Sequence, residues 1–369
     1  MTPALRTLVR LSTLTLASLV LAGCDMVVLD PAGDVAARQR DLLVISTGLM
    51  LLIIVPVMAL TVWFAWKYRH NNKDAQYDPD WHHSMRLELI IWSAPLLIII
   101  CLGAITWLGT HLLDPYRKLD RLDEQRPLTT ETRELVVQVV ALDWKWLFIY
   151  PQHGVATVNE FVVPVDQPVS LRITASSVMN SLYIPELAGM IYAMPGMQTQ
   201  LHGVMNVALE TQGFSANYSG AGFSGMKFAV RSVTPADFAS WVTKTRESQE
   251  SLTRASYLEL AKPSFREPAR HFAKVDDRLF DYVLGDCVQE GRLCSHDMAA
   301  IDRRGGLGLA SIHNVARGPD GAYLMGLCTL PEPEPLNDVL MPSNRSPLLG
   351  AGLPHPRPDR ALPLLAGAE

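Results

Sequence analysis

Residues 213–228, GFSANYSGAGFSGMKF, gather Ser215, Asn217, Ser219 and Met226 in a glycine-rich loop. Hydroxyls, an amide and one thioether are poor metal ligands as a set, because a serine hydroxyl is hard and stays protonated at neutral pH. The loop reads either as the wall of a metal site stripped of its ligands or as a plain serine-glycine turn. A second candidate lies further on, where Cys294, His296 and Met298 offer three soft donors of the kind that select copper. Cys287 competes for the first of them. In an oxidising compartment its seven-residue separation from Cys294 predicts a local disulfide, with Cys328 left over, and that reading is preferred because an irregular tail gives the three donors no scaffold. His82 and His83 are assigned no role, since adjacent histidines on a loop are more often solvated.

The elements that carry these residues follow from composition. The chain has 369 residues, 49% of them hydrophobic, and a net charge of -5. That hydrophobic fraction is high for a soluble protein, and the negative charge supplies no basic face for phosphate neutralisation, so a nucleic-acid partner is excluded. Residues 1–23 read as a signal peptide, with Arg6 and Arg10, an apolar run and then Leu21-Ala22-Gly23-Cys24. This resembles the lipobox of bacterial lipoproteins, which predicts Cys24 as the lipid-bearing first residue of a mature chain. Residues 24–41 then form an outer segment. Residues 42–66 and 89–113 are runs of 25 residues without Lys, Arg, Asp or Glu, long enough to cross a bilayer core of about 30 Å. Lipidation outside the membrane fixes the orientation: residues 67–88 are the cytoplasmic loop, and everything beyond about residue 112 is extracytoplasmic.

The exported part begins with strand patterns. ELVVQVVALDWKWLFIY (134–150) and NEFVVPVDQPVSLRITA (159–175) are rich in β-branched and aromatic residues, and shorter pieces recur at 198–210 and 226–233. Short strands at this spacing predict an antiparallel sandwich or barrel over 125–233. Thr234-Pro235 starts a helix, a second spans 251–261 before Pro263, and residues 234–285 make a small helical extension. From 286 to 369 the pattern fades into proline repeats, a tail predicted to be largely disordered.

LDWKWLFIYP, VMNSLYIPELAG, YAMPGMQTQL and YSGAGFSGMKF, following a lipobox and a two-span hairpin, resemble subunit II of the haem-copper oxidases in order and spacing, as far as about residue 285. The resemblance implies a membrane α + β fold: a two-helix transmembrane hairpin followed by a cupredoxin-like antiparallel β-barrel and a helical C-terminal extension rich in aromatics. In the cytochrome c oxidases that barrel holds a two-copper centre. Laid on this chain, its ligand positions fall on Asn180, Ser215, Asn217, Ser219, Phe223 and Met226, of which only Met226 keeps a copper-ligating side chain. Thiolates and imidazoles are what hold a copper pair, so the resemblance is to the quinol-oxidising branch, whose subunit II needs no copper relay.

The same resemblance implies a non-catalytic subunit in a proton-pumping complex that oxidises ubiquinol and reduces dioxygen to water in the bacterial inner membrane. It implies no cofactor in this chain, haems and copper in subunit I, ubiquinol bound through subunit I, and subunits I, III and IV as partners beside membrane lipid. Glu88, at the cytoplasmic mouth of the second span, is by resemblance the acid that helps protons enter subunit I; as an isolated residue it reads as a stabilising charge at a helix N-terminus. Trp144 and Trp146, an electron-entry patch in the cytochrome c branch, are read as packing residues. Two rivals stand beside this reading: a cytochrome c oxidase subunit II with an atypical electron entry, and a periplasmic lipoprotein that binds some other partner.

Overall fold

The computed structural model describes residues 27–75, 80, 82–129 and 132–303. Cys24, Cys328 and most of the proline-rich tail lie outside the described residues. The chain divides into two compact units, 1–286 and 287–369.

The first unit opens with two long helices, α1 (Asp34–Lys67) and α2 (Met85–Leu112). Both are long and apolar enough to cross a membrane, and neither buries its most apolar stretch against the rest of the chain. Trp66, Trp92 and Trp107 are all more than 60% exposed, which an aqueous surface would not tolerate in such numbers. α1 extends eight residues upstream of the apolar run, through Asp34, Arg38 and Arg40. Its start is pinned to the β domain by backbone bonds: Ala32 N–H donates to Glu186 O at 3.2 Å, and Asn206 N–H donates to Ala32 O at 2.7 Å.

The β domain packs two sheets. One runs β12-β3-β2-β1-β5-β8 and the other β4-β10-β9-β6-β7, with β1 Leu135–Leu142, β2 Lys145–Tyr150, β3 Val155–Val158, β4 Glu160–Pro164 and β5 Val169–Ala175. The later strands are β6 Asn180–Ile184, β7 Ala188–Ala193, β8 Thr199–Gly203, β9 Leu209–Ser215, β10 Lys227–Val233 and β12 Arg270–Phe272. The expected barrel differs in one respect: pairing is mixed, not wholly antiparallel. β1 lies parallel to β5 and β10 parallel to β4, because the chain leaves each sheet and returns after intervening strands instead of turning directly back. The 198–210 segment, one strand-like piece in the sequence, is likewise broken at Gly203. β8 and β9 belong to different sheets, and Asn206 in the crossover donates to Leu122 O at 3.1 Å and to Asp166 Oδ1 at 3.0 Å.

The core between the sheets holds Trp146, Phe148, Tyr150, Phe161 and Phe228, all at most 2% exposed. Each such side chain contributes roughly 1.5–3 kcal/mol by leaving water. Phe148 contacts Phe161 and Phe228 at ring-centroid distances of 5.2 and 5.0 Å. Tyr150 Oη crosses between sheets, donating to Val162 O at 3.0 Å and accepting from Val162 N–H at 2.9 Å. Burial of its ring pushes the Tyr150 phenol well above the usual tyrosine range, so it stays a neutral tie.

The C-terminal extension comprises α3 (Pro235–Arg246), β11 (Ser251–Leu252), α4 (Arg254–Leu260), β12, β13 (Lys274–Val275) and α5 (Leu279–Leu284). Thr234 caps α3 by accepting from Asp237 N–H at 3.2 Å. The second helix begins at Arg254, three residues later than its pattern predicts, because Thr253 and Ser256 form a capping box there and Ser251–Leu252 pair with β13. The extension is therefore helical with an added strand, β12, on the edge of β3. In the second unit Cys287 and Cys294 are joined by a disulfide, and a further helix, α6 (Ser295–Arg303), follows. That bond engages Cys294, although its sulfur lies within 4.8 Å of donors on His296 and Asp297.

Candidate functional site

The strand ends bring most of the loop residues singled out above to one end of the β domain. Asn180 opens β6 and Ser215 closes β9, both buried, because β6 and β9 pair antiparallel with Leu182 opposite Ser215. Ser215 Oγ–H points at Asn180 Oδ1, 3.3 Å away, and at Asn217 O, 3.4 Å away, sharing one proton between two long contacts. Asn180 donates its amide to Val178 O at 3.1 Å, and Asn217 donates to Met179 O at 3.1 Å. Ser219 Oγ lies 3.9 Å from the sulfur of Met226, whose side chain is buried in the core. Phe223 stands apart from this cluster. It begins a short 3-10 turn, Phe223–Gly225, and its ring meets Tyr218 edge-on at 5.6 Å at the rim.

A lid closes over the loop. Trp144 occupies the β1–β2 turn with φ 66°, a left-handed conformation that a bulky residue adopts only when packing holds it there. Its indole Nε1–H donates to Ser219 O at 3.1 Å. Gly220 has φ +111°, and a Cβ on Gly222 would sit 2.2 Å from the Trp144 ring, so only glycine lets the loop slide under the indole.

The donor set does not fit a binuclear copper centre. Asn180 and Ser215 present a neutral amide and a hydroxyl, Phe223 has no lone pair, and the Met226 thioether is the single soft atom.

At the other end of the helical hairpin, Glu88 lies in the first turn of α2, about half exposed. Its Oε1 is 2.6 Å from Nδ1 of His83. The sequence reading missed this pair: His83 precedes the helix, outside it, so no helical spacing links it to Glu88.

A third polar cluster, also unforeseen, joins the β domain to its extension. Glu160, at the start of β4, takes Arg231 of β10 at 3.1 Å, His271 of β12 at 2.6 Å and the Trp241 indole of α3 at 3.4 Å. Lys145, 2% exposed, donates to Lys262 O at 2.7 Å and Ser264 Oγ at 2.6 Å. Burial lowers its ammonium below the usual lysine range, against the pull of Glu267 and Asp143. Asn159 bridges the same seam, accepting from Trp146 N–H at 2.9 Å and donating to Glu267 O at 2.8 Å. Trp241 packs edge-on against Tyr150 at 5.2 Å. Periodicity marks the apolar faces of such elements but cannot pair Glu160 with a histidine 111 residues away.

Comparison with known proteins locates this arrangement. The COX aromatic rich motif matches residues 246–291, which include much of the seam. Cytochrome bo(3) ubiquinol oxidase subunit 2 of Pseudomonas putida is 44% identical over 307 residues, covering 83% of this chain and 95% of that protein. The chain belongs to the subunit 2 family of the quinol oxidases. Ubiquinol oxidase subunit 2 of Acetobacter aceti is 46% identical over 267 residues, covering 72% and 84% of the two chains. Among solved structures, the periplasmic domain of subunit II of cytochrome oxidase (CoxB) of Bradyrhizobium japonicum is 24% identical, covers 30% of this chain and 91% of its own, and gives a TM-score of 0.29. As a quinol oxidase subunit 2, this chain is a membrane-anchored member of a multisubunit haem-copper oxidoreductase.

Proposed function

We propose that this chain is the copper-free subunit II of a proton-pumping ubiquinol oxidase and carries no redox centre of its own. Asn180, Ser215, Asn217, Ser219, Phe223 and Met226 occupy the positions of a vacated copper site. The observation that carries the reading is the donor set at those positions, in which one buried thioether stands beside hydroxyls, amides and a phenyl ring. Electrons then reach dioxygen from ubiquinol through subunit I, which holds the haems and copper. This subunit spans the membrane twice, with Cys24 lipidated, the β domain in the periplasm, and subunits I, III and IV as its neighbours. Glu88 collects protons at the cytoplasmic mouth of subunit I, and the short contact with His83 supports that role, since an imidazole has two ring nitrogens, one able to accept and one able to donate a proton.

The test is oxygen uptake by the complex purified through this subunit, offered reduced ubiquinone, reduced menaquinone or reduced cytochrome c in separate vessels. Uptake with ubiquinol alone is expected, with no copper assignable to this chain. Uptake with cytochrome c overturns the proposal. Glu88→Gln is expected to slow ubiquinol-driven uptake several-fold while leaving subunit composition intact; unchanged turnover and unchanged proton uptake would remove Glu88 from the pathway.

A further inference from the structure

Basic residues crowd the outer end of the hairpin, where cytoplasmic-side enrichment of Lys and Arg makes them unexpected. Arg117, Lys118, Arg121 and Arg126 follow α2, and Arg38 and Arg40 lie in the first turns of α1. Most are answered by carboxylates. Arg121 Nη2 meets Asp34 Oδ1 at 3.0 Å, Arg126 meets Asp123 at 2.6 Å and Asp166 at 2.7 Å, and Arg40 meets Asp41 at 2.6 Å. Arg38 also leans on Asp34, at 2.7 Å, so that one buried carboxylate serves two guanidiniums. Asp120 is shared in the same way, by Arg117 at 3.1 Å and Arg38 at 3.5 Å. Lys118 is left without an ion pair among the described residues, and Arg38 Nε is buried with no hydrogen-bond partner.

Of these groups Arg38, Arg117, Lys118 and Asp120 line one open cavity of about 90 Å³, formed where the outer ends of both helices meet the β domain. Arg38, Arg117 and Lys118 line it against two carboxylates, Asp114 and Asp120. Asp114 is engaged by Tyr116 N–H at 2.9 Å. His202, with a side chain 4% exposed, also lines the cavity and is tied through Nδ1 to Glu134 at 2.7 Å. Leu112 and Leu113 form an apolar wall that continues along α2 into the exposed Leu108 and Trp107. Tyr116, 53% exposed, lies just past the end of α2, where an aromatic ring suits a membrane surface.

Lys118, without an ion pair among the described residues and placed at the head of an apolar wall, is complementary to one kind of ligand, an anionic group carried on hydrocarbon. We propose that this cavity binds the phosphate of an anionic membrane phospholipid, with Lys118 and Arg117 as its cationic contacts and the acyl chains lying along α2. The inference rests on the reading of α1 and α2 as membrane spans with this end at the bilayer surface. It adds to that reading a lipid held by the subunit itself, separate from any lipid attached at Cys24.

The test uses the whole oxidase, purified in mild detergent and titrated with phosphatidylglycerol or phosphatidylcholine while retained lipid is counted by native mass spectrometry. Phosphatidylglycerol is expected to bind more tightly, and Lys118→Gln to weaken it roughly fivefold, as removal of one basic residue near a lipid headgroup should. Arg117→Gln is expected to act in the same direction, and Lys274→Gln, a charge removed from the exposed edge of the extension, to leave binding unchanged. Equal retention by wild type and Lys118→Gln overturns the proposal, and so does an equal loss in Lys274→Gln. Displacement of the lipid by millimolar inorganic phosphate also overturns it, since the site would then be one for free phosphate. Ubiquinol-driven oxygen uptake is expected to survive Lys118→Gln; failure of lipid binding with that activity intact sinks only this inference, whereas absence of the activity in wild type sinks the proposed function and not this inference.

Discussion

The loop at 215–226 and the seam at Glu160 are both polar clusters assembled at strand ends of one β domain, yet they are held by different forces. In the loop, contacts among the singled-out side chains are long and neutral, at 3.3, 3.4 and 3.9 Å, and the cover is a packed indole. In the seam they are short and charge-assisted: 2.6 Å from His271 to Glu160, 2.7 and 2.6 Å from Lys145 to its two acceptors. The loop keeps its path by packing and by what glycine permits, whereas the extension is fixed to the barrel by ionic and hydrogen-bonding groups that leave little freedom of register.

Glu160 is the position whose loss should loosen the seam most. Truncation in Glu160→Ala takes the carboxylate from His271 and the Trp241 indole and leaves Arg231 with Glu210 alone; since Arg231 and His271 are about one-third exposed, the loss should be about 2–3 kcal/mol, below the ~3–5 expected for a fully buried pair. Thermal melting of the purified oxidase, with protease sensitivity of residues 234–285 as the readout, checks this. An unchanged midpoint would mean that apolar packing alone holds the seam.

Lys145→Met comes next, at about 1–2 kcal/mol, because Lys262 O and Ser264 Oγ lose their donor. The same residue gives the seam a pH signature. Its folded-state value is lowered, so folding disfavours the charged form, and stability should rise as pH climbs from that lowered value towards the ordinary lysine range. The rise should vanish in Lys145→Met; a rise of equal size in the variant would assign it to another group.

Gly222→Ala probes the loop itself. The new Cβ collides with the Trp144 ring, so the indole must leave or the loop must shift, at a cost of about 1–2 kcal/mol. Faster hydrogen exchange confined to 215–226 is the expected result, and exchange spreading through β1 and β2 would show that the lid is part of the core.

Ser215→Ala should do least, about 0.5 kcal/mol or less, because two contacts beyond 3.2 Å share one proton. A loss above that of Lys145→Met would reverse the comparison and make the loop the tighter of the two clusters.

Much of this architecture is legible in the residues. Charge-free runs mark the two long helices, β-branched runs mark β1, β2, β4, β5 and β10, and Thr234-Pro235 marks the start of α3, because each signal depends only on neighbours a few positions apart. The loop donors are legible for a different reason: several motifs occur in a fixed order, and side-chain identity alone decides whether copper has ligands.

By itself, then, the sequence determined which segments are apolar and which donor groups the loop carries. Only the tertiary structure decided that β1 runs parallel to β5, that Trp144 lies over Gly222, that His83 reaches Glu88, and that Glu160 gathers partners from β10, β12 and α3. Those relations join residues that carry no mutual periodicity. A charge buried at one strand end has no preferred partner until packing sets which distant side chains stand beside it, and hydrogen-bond distance and desolvation then select among them.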